Sequence, residues 1–445
     1  MQKPQLIIPF RGLRYDPARL PDLSPVVSPP YDVISPEAET ALARRHPENV
    51  VRLESVPPAR GDHGGDAFAH IAATLAAWLA SGVLIEDSEA CLYPLEQSFT
   101  WRGRSRRQRG FLCLLRLASW EKKVVLPHES TLPRPKAERL DLLRACQAHF
   151  SPVLALYRDP AHAAANLEIW DRPPLAQGEL DGVGLRLWSV EEGAQVQALQ
   201  QAVGAGPVFI ADGHHRYESA LAFRDEMRLR HPDAPPNAGF NYLLVHLLEA
   251  SDPGVAILPA HRLLSGLGRK RLESAWREFV QDFDLEPLPC RGRLPKQAAD
   301  LLESRDERPA YGIYRGGGKL YLARAKDSAL PTAPGATEGL DVNIAHRKLV
   351  LPLLAGGEGA VSYVTREEEA LAAVDRGECQ LALLLRATRV EQVLAAAEAG
   401  ERMPGKSTYF YPKSPAGVVM ASVGAESLQE RVGEVAERPV SKERL

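Results

Sequence analysis

Apolar residues along the chain fall into short runs and spaced stripes that predict alternating strands and helices. Ser35 followed by Pro36 predicts a helix start, a capping hydroxyl before a residue whose φ is already set. From Phe68 the positions Ile71, Leu75, Trp78 and Leu79 recur at helical spacing. Gly82 closes that stripe, and Val83-Leu84-Ile85 then predicts a strand. Residues 91–117 read as two strands around a polar tip. Val124-Val125-Leu126 is a further strand, Leu140, Leu143 and Ala145-Cys146 mark a helix after Pro135, and a strand follows at Val153–Tyr157. Val208–Ala211 predicts a short buried strand, followed without a gap by Tyr217, Ala220, Leu221 and Arg224 at helical spacing. Residues Asn241–Glu249 and Val255–Leu258, joined by Asp252-Pro253-Gly254, predict a hairpin. Residues 268–334 predict a helix and a hairpin turned at Gly316-Gly317-Gly318.

This order of elements predicts a mixed α/β (α+β) fold. A chain of 445 residues exceeds what one core usually serves. The expected division is an N-terminal α/β domain at 1–266, a smaller C-terminal α+β half at 267–429, and a charged, flexible tail at 430–445. Hydrophobic residues make up 45% and charged residues 25%, the balance of a chain that folds on its own. The net charge of -3 concentrates neither sign, which argues against a nucleic-acid or membrane partner. Five arginines between Arg102 and Arg109 are the exception; their place between two strands reads as a solvated turn, with a phosphate or nucleic-acid patch as the alternative. Cys91, Cys113, Cys146, Cys290 and Cys379 are dispersed with no CxxC pair, which predicts neither a disulfide framework nor a structural zinc. Leu6–Phe10 is too short for a signal-peptide core and no stretch approaches a membrane span, so the cytoplasm is the expected compartment.

The densest polar chemistry lies at Ile210-Ala211-Asp212-Gly213-His214-His215-Arg216-Tyr217. Asp212 is placed to cap the helix, and Gly213 lets a ligand approach the backbone. His214, His215 and Arg216 gather positive groups at the helix start, an arrangement suited to phosphate. Plain capping is the structural alternative. A shared metal is disfavoured because adjacent histidines point apart.

Three other sets of residues carry candidate chemistry. Glu129, in Pro127-His128-Glu129-Ser130-Thr131 after a strand, is the candidate general base, with an ion-pair role as the alternative. Lys136 and Arg139 follow at a helix start, and Arg262 after Pro259-Ala260-His261 offers a planar fork for phosphate or carboxylate. Tyr31-Asp32 in a proline-stiffened loop could line a pocket or simply make a turn. Gly400–Ser407 matches GxxxxGK[ST] in letters, but a helix precedes it and Thr408–Pro412 is strand-like, the reverse of a P-loop. Lys406, Ser407, Thr408 and Lys413 could still face a pocket.

With these residues in view, the chain resembles the uncharacterised prokaryotic family called domain of unknown function one thousand and fifteen. The resemblance lies in Pro29–Ile34; Pro127-His128-Glu129 with Thr131, Lys136 and Arg139; Ser151-Pro152; Ala211–Tyr217; Asn241-Tyr242; Pro259 with His261-Arg262; and Met403-Pro404 with Lys406–Lys413. Gly405 stands where that family more often has a longer polar residue. Asp212–Arg216 also resembles the Asp-Gly-His-His-Arg signature of free-serine kinases in the ParB and sulfiredoxin-like superfamily. That resemblance implies a ParB/sulfiredoxin-like core, a phosphate and magnesium end at Asp212, Gly213, His214, His215 and Arg216, ATP or ADP as the nucleotide, and a small-molecule acceptor. It does not assign the base. The expected activity is phosphoryl transfer to a metabolite hydroxyl, free serine first, with Asp212 holding magnesium, Glu129 accepting the proton, and Lys136, Arg139 and Arg262 orienting phosphates or carboxylate. A non-catalytic nucleotide-binding switch and a metal-dependent hydrolase remain the alternatives.

Overall fold

The structure, a computed structural model, describes residues 5–55, 64–131, 133–290, 293–304, 308–332, 335–355, 357 and 359–426. The fold is mixed α/β, and the chain divides into two units: 1–126, 131–255 and 412–445 form the first, and 127–130 with 256–411 the second. The division therefore falls at Val255/Ala256 rather than near 266, and from Pro412 the chain returns to the first unit. Apolar patterning marks elements, but it does not mark a chain that leaves a core and comes back. The expected flexible tail at 430–445 lies outside the described residues.

The first unit is built on a mixed sheet. Its strands run in the order Val125–Leu126, Val208–Asp212, Val153–Tyr157, Tyr242–Glu249, Arg104–Arg116, Cys91–Trp101, Val183–Leu187, Ala176–Leu180. Val208–Asp212 runs parallel to Val125–Leu126 and antiparallel to Val153–Tyr157, which in turn is parallel to Tyr242–Glu249. Such central strands are covered on both faces, and Val153–Tyr157 and Val208–Ala211 are buried at every position, as their continuous apolar runs demand. Helices Pro133–Cys146 and His214–Arg230 pack against each other, while Phe111, Val153, Ile210, Tyr217 and Phe223 share one core. Ser35 caps helix Pro36–Arg45 by accepting from the Ala38 amide at 3.2 Å, as its sequence predicts. The expected arginine turn is only Arg102-Gly103, both at positive φ; Arg104, Arg106, Arg107 and Arg109 lie instead in strand Arg104–Arg116.

The hairpin expected of Asn241–Glu249 and Val255–Leu258 does not form. The Asp252–Gly254 turn is real, with the Gly254 amide donating to Asp252 Oδ1 at 2.7 Å. However, Tyr242–Glu249 already has a partner on each edge, Arg104–Arg116 and Val153–Tyr157, and Ala256–Leu258 pairs with Tyr409–Tyr411 in the second unit. The rest of the second unit is an antiparallel sheet in the order Phe283–Pro289, Lys319–Ala325, Ala310–Tyr314, Leu381–Leu384, His261–Ser265, Ala360–Val364. Helix Arg269–Asp282 is amphipathic and adds Ala275 and Phe279 to a core with Phe283, Tyr311 and Leu383. Gly316, Gly317 and Gly318 all take positive φ in the turn between Ala310–Tyr314 and Lys319–Ala325. Gly400–Ser407 lies between helix Val390–Glu398 and strand Tyr409–Tyr411, so it is no P-loop.

Candidate functional site: the Asp212-Gly213 junction

The register of strand Val208–Asp212 against Val153–Tyr157 shifts between Ile210 and Asp212, and such a bulge re-aims the strand's last side chain. Gly213 follows as the N-cap of helix His214–Arg230 with φ 93° and ψ 30°. A Cβ here would lie 2.8 to 3.0 Å from the Arg216 guanidinium, so glycine is required both by φ and by space. As the N-cap, Gly213 supplies no side-chain capping bond. Asp212, expected to cap the helix, instead accepts from Lys413 Nζ at 2.5 Å and Arg216 Nη2 at 3.2 Å. Two cations within reach attract a carboxylate more strongly than neutral amides do.

Arg216 is 8% exposed, and its Nη1 donates to Ser151 Oγ at 3.1 Å and to the Pro152 carbonyl at 2.6 Å. Burial alone would raise the Asp212 carboxyl. Lys413 and Arg216 override it and hold the group down at about 2. Burial likewise works against the Arg216 charge, and Asp212 reverses the effect, leaving the guanidinium more basic than usual.

Lys413 reaches Asp212 from a fixed backbone. Gln97 Nε2 donates to the Lys413 carbonyl at 3.1 Å, and the neighbouring Ser414 Oγ bonds His246 Nδ1 at 2.8 Å. His246 is fully buried, and burial lowers it to about 3, so it is neutral. Gly110 makes room for it, since a Cβ there would sit 2.7 Å from His246 Nε2.

A second layer lies beside Arg216. Arg139 Nη1 binds Glu54 Oε2 at 3.0 Å, both side chains being buried, and its guanidinium lies 3.9 Å from the centre of the Tyr31 ring. Burial raises the Tyr31 hydroxyl to about 12 despite Arg139 and Arg216. Glu54, Arg139, His149, Ser151 and Arg216 line a cavity of about 30 Å³, room for roughly one or two waters. Among the described residues, Glu54 Oε1, Arg139 Nε and Arg216 Nε have no hydrogen-bond partner. His149, buried at this wall, is lowered to about 4 by burial.

The other expected site residues are placed as follows. His214 is buried and His215 half-buried in the first helical turn. Lys136 Nζ pairs with Glu218 at 2.9 Å, and Thr131 Oγ1 donates to the same carboxylate at 2.7 Å. Arg139 is committed to Glu54, so its expected phosphate contact gives way to a buried structural pair. Glu129 and Arg262 belong to the second unit. There Glu129 Oε1 accepts from the Lys406 amide at 3.3 Å, and Arg262, buried, donates to the Ala260 carbonyl at 2.5 Å. Burial lowers Arg262 to about 10. Sequence reasoning missed Glu54, Gln97, Glu218 and His246; Glu54 and His246 are polar residues inside apolar runs, Gln97 sits in a polar stretch of a strand, and Glu218 directly follows the Asp-Gly-His-His-Arg-Tyr motif, which could have drawn attention to it.

Magnesium favours oxygen ligands with open lone pairs, in octahedral geometry. Asp212, the carboxylate expected to hold it, has one oxygen on Lys413 and the other on Arg216, so the residues present do not fit a protein-held magnesium. Among the described residues no three His, Cys, Asp or Glu side chains gather as metal ligands. No helix among them is long and apolar enough to cross a membrane.

The family model for the proteins of unknown function DUF1015 matches residues 7–343. The chain belongs to DUF1015. This DUF1015 member has no match among the curated proteins. Among solved structures it is similar to a conserved hypothetical protein from Pyrococcus furiosus, at 17% identity and a TM-score of 0.35 over 68% of this chain and 94% of that one. It is also similar to a free serine kinase in complex with AMP, at 17% identity and a TM-score of 0.36 over 68% and 90%. A third is SbnI with a C-terminal truncation from Staphylococcus aureus, at 13% identity and a TM-score of 0.32 over 69% and 81%.

Proposed function

We propose that the Asp212-Gly213 junction binds the phosphates of ATP or ADP, and that the protein transfers a phosphoryl group to the hydroxyl of a small metabolite, with free serine the first acceptor to test. One observation carries this reading: the positive end of a long helix opens at a glycine N-cap, which has no side chain to cap it, beside Arg216 and Lys413. The buried, unpartnered Nε of Arg216, close to Gly213, adds a donor with a hydrogen bond still to make. The resemblance of Asp212–Arg216 to the free-serine-kinase signature and to its ParB/sulfiredoxin-like core points the same way.

In the proposed reaction the acceptor oxygen bonds to the terminal phosphorus as the bond to the bridging oxygen breaks, and the nucleotide leaves with that electron pair. Arg216, Lys413 and the first-turn residues His214 and His215 offset charge on the transferring group. Asp212 holds the two cations in place. Glu129 is the proposed acceptor of the hydroxyl proton. Lys136 would release Glu218 to meet a phosphate, at small cost because such a partly exposed pair contributes only about 0 to 1 kcal/mol.

The test is a phosphorylation screen by phosphorus NMR with ATP or ADP, supplied as magnesium salts, and a panel of hydroxyl metabolites including serine. Product that disappears in both Asp212→Ala and Glu129→Ala supports the kinase. The second reading, a nucleotide-binding switch, is favoured by the fact that Asp212, Glu54 and Glu218 are all engaged by cations. Nucleotide binding that Asp212→Ala abolishes, with no acceptor phosphorylated, replaces the kinase with the switch.

A further inference from the structure

We propose that Lys413 takes the place of a divalent cation at Asp212, so that this junction binds phosphate-bearing ligands through a built-in ammonium rather than a protein-held metal. The inference rests on the phosphate-binding reading for its ligand, and on Asp212 alone for its claim about the metal. Both Asp212 oxygens lie within hydrogen-bonding distance of a cation, at 2.5 Å from Lys413 Nζ and 3.2 Å from Arg216 Nη2. A metal ion bound to either oxygen would either displace one of these groups or sit close to both with like charge.

Neither cation is loose. Arg216 is tied to Ser151 and Pro152, and Lys413 has 12% of its side chain exposed on a backbone held by Gln97 and, through Ser414, by His246. A lysine ammonium has three donors, so one can stay on Asp212 while another meets a phosphate oxygen, the point-charge role that lysine plays in other phosphate sites. Asp212 then acts as a counter-ion that keeps the ammonium desolvated and aimed. A metal-ligating aspartate would need partners of its own kind, and among the described residues no such cluster forms.

Manganese titration followed by electron paramagnetic resonance, without nucleotide, tests the claim directly. The wild-type chain should hold no stoichiometric Mn²⁺. Lys413→Met, or Lys413→Gln if the first variant folds poorly by circular dichroism, should bind it at least about tenfold more tightly, the effect of removing one opposing charge at contact distance. One Mn²⁺ per wild-type chain that Asp212→Asn abolishes would overturn the proposal, as would equal absence of Mn²⁺ from the wild type and the folded Lys413 variant. In a second arm, calorimetry should give ADP affinities in EDTA and in magnesium that agree within about threefold; a loss beyond tenfold in EDTA overturns it. No ADP binding in either buffer defeats the nucleotide reading instead, and the manganese comparison still decides the role of Lys413.

Discussion

Gly213→Ala separates the two demands made on this residue. The backbone there is left-handed at φ 93°, which costs an L side chain about 1–2 kcal/mol. The new methyl would also come within 2.8 to 3.0 Å of the Arg216 guanidinium. An exposed arginine would swing aside, but this one is 8% exposed and bonded to Ser151, Pro152 and Asp212. Hydrogen bonds involving a charged group contribute about 1.5–3 kcal/mol each, so loosening one or two on top of the backbone cost brings the total loss to about 2.5–8 kcal/mol. Five of the six tryptophans, Trp78, Trp101, Trp120, Trp170 and Trp188, lie in the first unit, and Trp120 stacks on Tyr217 one turn into the affected helix at 4.4 Å. Fluorescence-detected urea unfolding therefore follows the first unit, and its midpoint should fall with little change in slope. Gly213→Asn, which tolerates positive φ but keeps the clash, should recover only the backbone part. A loss no greater than about 2 kcal/mol for Gly213→Ala, the backbone cost alone, would show that Arg216 is not held as described.

Three further outcomes follow from the buried charges. His149 and His246 are neutral in the fold, at about 4 and about 3 against about 6.5 unfolded. Their stabilising contribution is complete above pH 6.5 and is lost as pH falls toward 4 and then 3. Every tenfold change in proton affinity on folding contributes about 1.4 kcal/mol, so the first unit should weaken by several kcal/mol over that window; stability flat from pH 7 to 4, measured by urea midpoints, refutes the burial argument. Asp212, depressed to about 2, contributes stability that is present above about pH 4 and disappears as pH falls through 2, and Asp212→Asn should remove that last acid limb. Arg139→Met strands the Glu54 carboxylate and should cost about 3–5 kcal/mol, while Arg139→Met with Glu54→Met should recover most of it; strictly additive losses in that double-mutant cycle would contradict a paired burial.

Strands and helices were legible where one period dominated, as in Val153–Tyr157, Val208–Asp212 and Arg269–Asp282. The junction itself was legible because Asp-Gly-His-His-Arg puts polar residues where an apolar strand ends. What escaped was pairing at a distance. Nothing near Asp212 in sequence announces that its partner is Lys413, and the capping role expected of Asp212 lost to an ion pair that only the folded chain supplies. Arg139 read as a free cation because its partner Glu54 lies in a segment with no motif. The Asp252–Gly254 turn was correctly read, yet it joins strands that pair elsewhere, because turn chemistry fixes a bend and not which sheet edge is vacant.

The return of the chain at Pro412 sets an order on biosynthesis. Strands from Cys91 to Glu249 can pair once the ribosome has passed residue 249, well before Lys413 is made, so a nascent chain holds Asp212 beside Arg216 alone. The whole of 256–411 must emerge before the second cation arrives. A chain interrupted within that span would carry a nearly finished sheet with an unfinished charge cluster, Asp212 paired with Arg216 alone. Completion of the junction thus reports that the whole of 256–411 has been made.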